Sequence, residues 1–424
     1  MAPSDDGGGV LRNWAGNVTF SARGLTSPGS VDELCDVVRA ARRVRALGTG
    51  HSFSRVADSD DVLVSVAALP PVVEVDLTTS TARVSAGLRW GEIAPVLHDH
   101  GVAVHTMGSL PHISVAGSVS TGTHGSGDRN GCLASAVVGL ELVTASGDVR
   151  VVRRGDADFE GSVVALGALG VITHVTLALV PAYDVEQTVL DGLALDVALD
   201  GLDAIMAAAS SVSLFTTWAG RGFEQVWVKR RVGDDVTDLS WTGAVPAGGP
   251  RHPVPGVDPA SCTQQAGVAG PWFERVPHFR LDFTPSSGDE LQTEYLLPRV
   301  HGADALRAVD AIRDVVAPVL QVSEIRSIAA DDLWLSPAYG RDSLAVHFTW
   351  ISDTARVLPV VARVEEALAP FDARPHWGKV FTTDPACVSA LYPRMADVRR
   401  LLVEHDPTGR FSNDFVDRYV RGLA

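Results

Sequence analysis

A chain of 424 residues is too long for one simple core, and with 46% apolar and 20% charged residues it can fill two or three globular domains. Acidic residues outnumber basic ones 51 to 35, and the net charge of −16 argues against nucleic acid or an anionic membrane surface as a partner. Cys35, Cys132, Cys262 and Cys387 lack any C-x-x-C spacing, which argues against zinc and iron–sulfur sites, so no metal is expected; they read as free thiols of a reducing compartment.

Met1 to Gly9 is acidic and glycine-rich, unlike a signal peptide, and the expected location is cytoplasmic. Ser30-Val-Asp-Glu33 has the capping-box pattern and opens a predicted helix to about Arg42. Short strands are predicted at Val44 to Leu47, Val62 to Val66, Val72 to Val75 and Ala82 to Val84. A helix from Gly91 to His100 stops at Gly101, and a stretch of small residues follows from Met107 to Gly131. Strands then run from Val137 to Thr144, Val149 to Arg153 and Val171 to Val180. The apolar stretch Val163 to Val180 is interrupted by Gly167, Gly170, Thr173 and His174, so it is not a membrane span.

The pattern changes after Pro181. Strands are predicted at Gln225 to Lys229, Phe279 to Thr284, Leu291 to Leu297, Ser323 to Ile328 and Leu344 to Ile351, with helices over 302–317 and 354–369. Without regular βαβ spacing, they fit a mostly antiparallel sheet with helices on one face, an α+β layer. A boundary is placed near Tyr183.

Two loops of the first part stand out, Gly48-Thr-Gly-His-Ser-Phe53 after a strand, and Ser109 to Gly127. Glycine allows close backbone approach to a ligand, and free N–H groups can hold a phosphate. Neither loop has the order of a Rossmann fingerprint or the lysine of a P-loop. Taken singly, such a loop is a turn more often than a ligand site.

Polar residues stand in the strands of the second part. Glu324 and Arg326 are two apart and so share a face, as do His347 and Thr349, while Phe348 and Trp350 take the opposite face. Either strand alone could be a solvated sheet face. Lys379 in His376-Trp-Gly-Lys379 adds weight to a site, because Lys229 and Lys379 are the only lysines of an arginine-biased chain. Arg326, two residues from Glu324, is expected to be a planar fork held by that carboxylate.

These stretches resemble the vanillyl-alcohol-oxidase-type flavoproteins, with a PCMH-type FAD-binding domain, and within them the bacterial alditol oxidases. The likeness runs from Asn13-Trp-Ala-Gly-Asn17 to Phe411-Ser-Asn-Asp-Phe415. It is carried by Leu47-Gly-Thr-Gly-His-Ser-Phe53, Ser109 to Gly127, Pro285-Ser-Ser-Gly288, Trp334-Leu-Ser-Pro-Ala-Tyr-Gly-Arg341 and Pro375-His-Trp-Gly-Lys-Val-Phe381. The resemblance implies a two-subdomain FAD-binding domain over 13–183, a substrate (cap) domain over 184–400, and a segment 401–424 returning to the first domain. It implies FAD bonded covalently through His51 at the flavin 8α carbon. FAD contacts are implied for Ala46, Leu47, Gly48, Thr49, Gly50, Ser52, Ser109, Ser114, Gly117, Thr121, Gly122, Thr123, His124, Ile172 and His376. A second, cysteinyl link is not expected, since the surroundings of Cys132 do not match that pattern.

The likeness also implies a polyol held by Ser109, Glu324, Arg326, Thr349 and Lys379, with His347 beside them. Flavin N5 takes the hydride and O₂ is reduced to H₂O₂. Arg326 and Lys379 suit a developing alkoxide, Glu324 a neighbouring hydroxyl, and both His347 and Lys379 qualify as proton acceptor. A sugar-1,4-lactone oxidase or dehydrogenase is the alternative, and a flavin-holding protein without turnover a more distant one. No protein partner is indicated.

Overall fold

The computed structural model describes residues 10–283 and 288–423. Its first layer combines a three-stranded parallel sheet, ordered Gly24–Thr26, Val62–Val64, Val44–Ala46, with a five-stranded antiparallel one. The latter runs Val73–Asp76, Thr81–Ser85, Val171–Ala178, Val137–Val143, Val149–Arg153. Helix Val31–Ala40 starts where predicted, with Ser30 Oγ accepting from the Glu33 amide at 3.2 Å. The reciprocal half of the box is shifted, because the Glu33 carboxylate takes the Gly29 amide instead. Helix Trp90–Asp99 buries Ile93, Ala94 and Leu97 against the antiparallel sheet, in one core with Val84, Val175 and Leu177.

The second layer is a nine-stranded sheet, antiparallel throughout. Its central order is Asp184–Ala194, Gly222–Arg231, Ser211–Thr216, Leu320–Ile328, Ser343–Ile351, Glu290–Pro298. Ile325, Val346, Phe348 and Trp350 pack with Leu306, Val309, Val357, Val361 and Val364 of helices Gly302–Asp310 and Thr354–Leu368. Helices therefore cover one face, as an α+β layer requires. The polar face is left toward the first layer.

Some expectations fail for identifiable reasons. Phe279–Phe283 is not a strand. Phe279 makes a single bridge to Cys262, and Leu281 and Phe283 are exposed, so the alternation finds no sheet to join. Thr284, the end of that predicted strand, lies outside the described residues, as do Pro285 to Ser287 of the quoted stretch. The helix expected over 302–317 is broken at Ile312 into Gly302–Asp310 and Arg313–Val316. Strands Asp184–Ala194 and Ser211–Thr216 and helix Met395–His405 were not anticipated. Ser211–Thr216 is buried at every position, so it offers no solvent-facing side to betray a period of two. Val388, Met395, Leu401, Phe411 and Phe415 belong to the first core, so the chain re-enters that layer before residue 401.

Arg45 ties the first layer to the returning C-terminal segment. It is 2% exposed and donates to the carbonyls of Gly167 at 3.1 Å, Phe411 at 2.6 Å, Leu166 at 2.5 Å and Val56. Burial pulls its guanidinium down to about 10. Arg45→Leu strands those carbonyls. It should lower the unfolding free energy by at least about 3 kcal/mol, since each stranded buried group costs about 1–3 kcal/mol. Urea titration checks this, and an unchanged midpoint would mean that water replaces the guanidinium.

Candidate active site

A cavity of about 710 Å³ separates the two layers. Its first-layer wall is the loop after strand Val44–Ala46. Between Leu47, whose amide donates to Val64, and Phe53, whose amide donates to Gly378, the N–H groups of Gly48 to Ser52 find no acceptor among the described residues. A run of free N–H groups beside a cavity suits an anion such as a pyrophosphate. The loop is clamped from outside. Asn13 Nδ2 donates to Ser52 O and Asn17 Nδ2 to Phe53 O, both at 2.9 Å, and the Trp14 amide donates to Gly50 O. The Trp14 ring stacks on His51 at 5.1 Å between centroids. His51 Nδ1 lies 2.9 Å from Thr49 Oγ1, and burial holds its ring down to about 4, hence neutral.

The second loop lies against the first. A β-carbon on Gly48 would strike Ser114 Oγ, and one on Gly117 would come within 2.8 Å of it. Of the residues expected at FAD, all but Gly122 line the cavity. Gly122, between Thr121 and Thr123, has φ +70° and packs on Pro337, which lets the chain turn after helix Val115–Ser120. The cradle fits a flavin dinucleotide in size, in free amide donors and in its glycines.

The opposite wall is the polar face of the second sheet. Register places Glu294, His347, Glu324 and Phe215 in one row across adjacent strands, with Thr349 paired to Gln292 and Arg326 to Ser213. Ser109, Glu324, Arg326, His347, Thr349 and Lys379 all line the cavity. Arg326 Nη1 reaches Ser109 Oγ at 3.4 Å, joining the two layers.

The expected Glu324–Arg326 fork is corrected. Arg326 Nη2 pairs with the Glu294 carboxylate, whereas its Nε is 3.7 Å from Glu324 Oε2 and makes no hydrogen bond. Glu294 lies on the strand two places along the sheet, where it is brought by pairing rather than by sequence proximity. Burial alone would raise both carboxyls, but Arg326 and neighbouring histidines hold them well below the usual range. The two carboxylates raise the Arg326 guanidinium in turn, against its burial.

His376-Trp-Gly-Lys379 is strapped to both layers. The His376 and Val380 amides donate to Glu294 O and Gln292 O, while Gly378 O and Trp377 O accept from Phe53 N and Ser54 Oγ. Lys379 Nζ donates to Gln292 Oε1 and sits 5.2 Å from the Phe53 ring centre. Burial lowers its ammonium, against the pull of Glu294. His347 Nε2 is 3.2 Å from the same Gln292 Oε1. Gln292 Nε2 donates to Glu290, so this oxygen is an acceptor and His347 must carry its proton on Nε2, leaving Nδ1 bare. Burial depresses His347 and His376 to about 3.

Glu294, Gln292, His278 and Lys229 were missed. The charged and amide residues at every second position, Glu290, Gln292 and Glu294, were a signal for the first two. His124, Glu294 and His376 bring ligand-type atoms within 4.8 Å of one another, but Glu294 Oε1 is already engaged by Arg326, whose charge disfavours a further cation there.

Comparison with known proteins agrees with this geometry. The family described as FAD binding domain matches residues 22–153, and that described as D-arabinono-1,4-lactone oxidase matches 289–419. An alditol oxidase of a Streptomyces species is 55% identical over 97% of this chain and 99% of its own. An L-gulono-1,4-lactone dehydrogenase of Mycobacterium tuberculosis is 31% identical over 97% and 99%. In fold, cholesterol oxidase from B. sterolicum superposes with a TM-score of 0.76 over 99% of each chain at 12% identity. A nucleotide cradle facing a polar sheet, together with these relatives, marks an FAD-dependent oxidoreductase. The chain belongs to the alditol oxidase family of vanillyl-alcohol-oxidase-type (PCMH-type) flavoproteins.

The depressed histidines make stability depend on pH. His278, His347 and His376 lie at about 4, 3 and 3 when folded, against about 6.5 when unfolded. Their contribution is complete above about 6.5 and is lost as pH falls toward the folded values, by up to about 1.4 kcal/mol per pH unit for each. Calorimetric unfolding near pH 5 should show proton uptake, reduced by about one proton in His347→Gln. Equal uptake in the two would show that His347 is charged in the folded protein.

Proposed function

We propose that the protein oxidises the terminal (C1) hydroxyl of a polyol such as xylitol or sorbitol to the aldose, with O₂ as electron acceptor. The observation that carries this reading is the buried row of hydrogen-bonding groups opposite the cradle. A polyhydroxylated ligand satisfies several at once, and a simple alkanol strands them at about 1–3 kcal/mol each. The alditol oxidase relative at 55% identity supports the same class. The chemistry FAD supplies when bound is acceptance of a hydride at flavin N5 and its passage to O₂, released as H₂O₂.

This chain's residues do the rest. Glu324 accepts a hydrogen bond from a substrate hydroxyl, and Thr349 and Ser109 add contacts. Arg326 and Lys379 place fixed positive charge at the hydroxyl that loses its proton. His347 presents the bare Nδ1 to that proton. A ring kept neutral by burial is a weak base, so it depends on the cations to make the hydroxyl acidic. We read His51 as the covalent attachment point, supported by its place in the clamped loop, and the protein as cytoplasmic, supported by free cysteines. Among the described residues no helix is long and apolar enough to cross a membrane.

A sugar-1,4-lactone is the second reading, favoured by the match of residues 289–419 and by the mycobacterial relative. Steady-state rates on xylitol, sorbitol, butanol and gulono-1,4-lactone decide. The polyols should exceed butanol by orders of magnitude in kcat/KM, and preference for the lactone would overturn the polyol assignment. The denatured protein should stay yellow and fluoresce on a gel, while His51→Ala should release FAD on acid treatment. Free FAD from the unmutated protein would refute the covalent link. Lys379→Arg keeps the charge but misplaces it. It should bind FAD normally and slow anaerobic flavin reduction by at least about 10²-fold. Near-normal reduction would remove Lys379 from the chemistry and leave His347.

A further inference from the structure

The two lysines of the chain lie on either side of the site, and only Lys379 has been given a task. Lys229 belongs to strand Gly222–Arg231, is 1% exposed, and approaches the sheet's polar face from beyond Glu324. Its Nζ donates to Val276 O at 2.5 Å and Pro277 O at 3.0 Å, and lies 3.0 Å from His278 Nδ1. The other nitrogen of that ring, His278 Nε2, is 2.8 Å from Glu324 Oε1. Phe215 and Trp227 meet the His278 ring edge-on at 5.7 and 5.1 Å, leaving it little freedom to turn.

We propose that Lys229 and His278 are positioning residues. By this proposal they fix Glu324 as an ionised acceptor with one oxygen free, so that the site admits a hydroxyl donor at that point and disfavours a carbonyl or an anion. The inference rests on the reading of Glu324 as the partner of a substrate hydroxyl. The argument is one of donors and acceptors. An ammonium has no lone pair, so the ring nitrogen facing Lys229 must be bare. The proton of a neutral imidazole then sits on Nε2, where it donates to Glu324. Glu324 Oε1 is thereby occupied. Oε2, 3.7 Å from Arg326 Nε, remains for the ligand. Arg326 cannot perform this orientation, because its short contact goes to Glu294.

The electrostatics agree. Burial takes His278 down to about 4, and the neighbouring lysine pushes it the same way, so it is a neutral donor rather than half of an ion pair. Burial also pulls Lys229 down to about 7, against the attraction of Glu324. A neutral amine could serve both carbonyls and accept from Nδ1, but Nε2 would then face the ionised Glu324 oxygen without a proton, so the full set of bonds, Glu324 included, is made by the ammonium form.

Two measurements test this on the FAD-loaded enzyme. In ¹⁵N-histidine-labelled protein, with the resonances assigned through His278→Gln, His278 should show a protonated Nε2 and a bare Nδ1 at neutral pH. A proton on Nδ1, or on both nitrogens, overturns the proposal. In anaerobic flavin reduction by xylitol, His278→Leu should raise the apparent Kd roughly 10-fold or more, as expected on losing a hydrogen bond to a charged group. The limiting reduction rate should change far less. His278→Gln, whose carboxamide N–H can still reach Glu324, should restore the Kd to within a few-fold. A folded His278→Leu with unchanged Kd overturns the proposal, and so does a Gln variant no better than Leu. If no polyol reduces the unmutated enzyme, the polyol reading itself fails, while the tautomer measurement still decides the line of bonds.

Discussion

The structure turns on a cation in a place where cations are expensive. Arg326 is buried in the middle of a β-sheet, where an unpaired guanidinium would cost several kcal/mol. It is tolerated because Glu294 and Glu324 stand beside it on the same face. Glu324 is in turn held by His278 and His278 by Lys229, while His124 Nε2 lies 3.3 Å from Glu294 without a hydrogen bond. The polar row is therefore self-supporting before any ligand arrives. Apolar packing on the opposite face, with Phe348 and Trp350 stacked at 5.0 Å, lets the sheet afford it.

The other wall follows from a complementary constraint. Backbone N–H groups that find no partner within the protein call for one from outside. The loop Gly48 to Ser52 keeps its amides free of partners among the described residues, because Asn13, Trp14 and Asn17 hold its carbonyl side and the His376–Lys379 strap holds its far end. The same strap delivers Lys379 and His376 to the cavity. One short segment thus sets the spacing between the nucleotide cradle and the polar sheet.

Much of this was legible in the sequence, for a stated reason. A period of two puts Glu324 with Arg326 and His347 with Thr349 whatever the rest of the sheet does, and Phe348 and Trp350 on the other side. Glycine spacing after a strand allowed a cradle there, and the resemblance to flavoproteins singled it out. What was not legible depends on register between distant strands. Nothing local says that Glu294, rather than Glu324, takes the Arg326 fork, or that His278 in an irregular loop meets Glu324. The apolar alternation of Phe279, Leu281 and Phe283 mimicked a strand where no edge was available to pair.

The central claim is that the polar face of the second sheet is the floor of a polyol site. A crystal structure of the FAD-loaded enzyme with xylitol bound tests it most directly. The account predicts a terminal hydroxyl within hydrogen-bonding distance of Arg326 or Lys379, and a neighbouring hydroxyl donating to Glu324 Oε2. Xylitol held elsewhere in the cavity, with Glu324 and Arg326 meeting only protein and water, would contradict it.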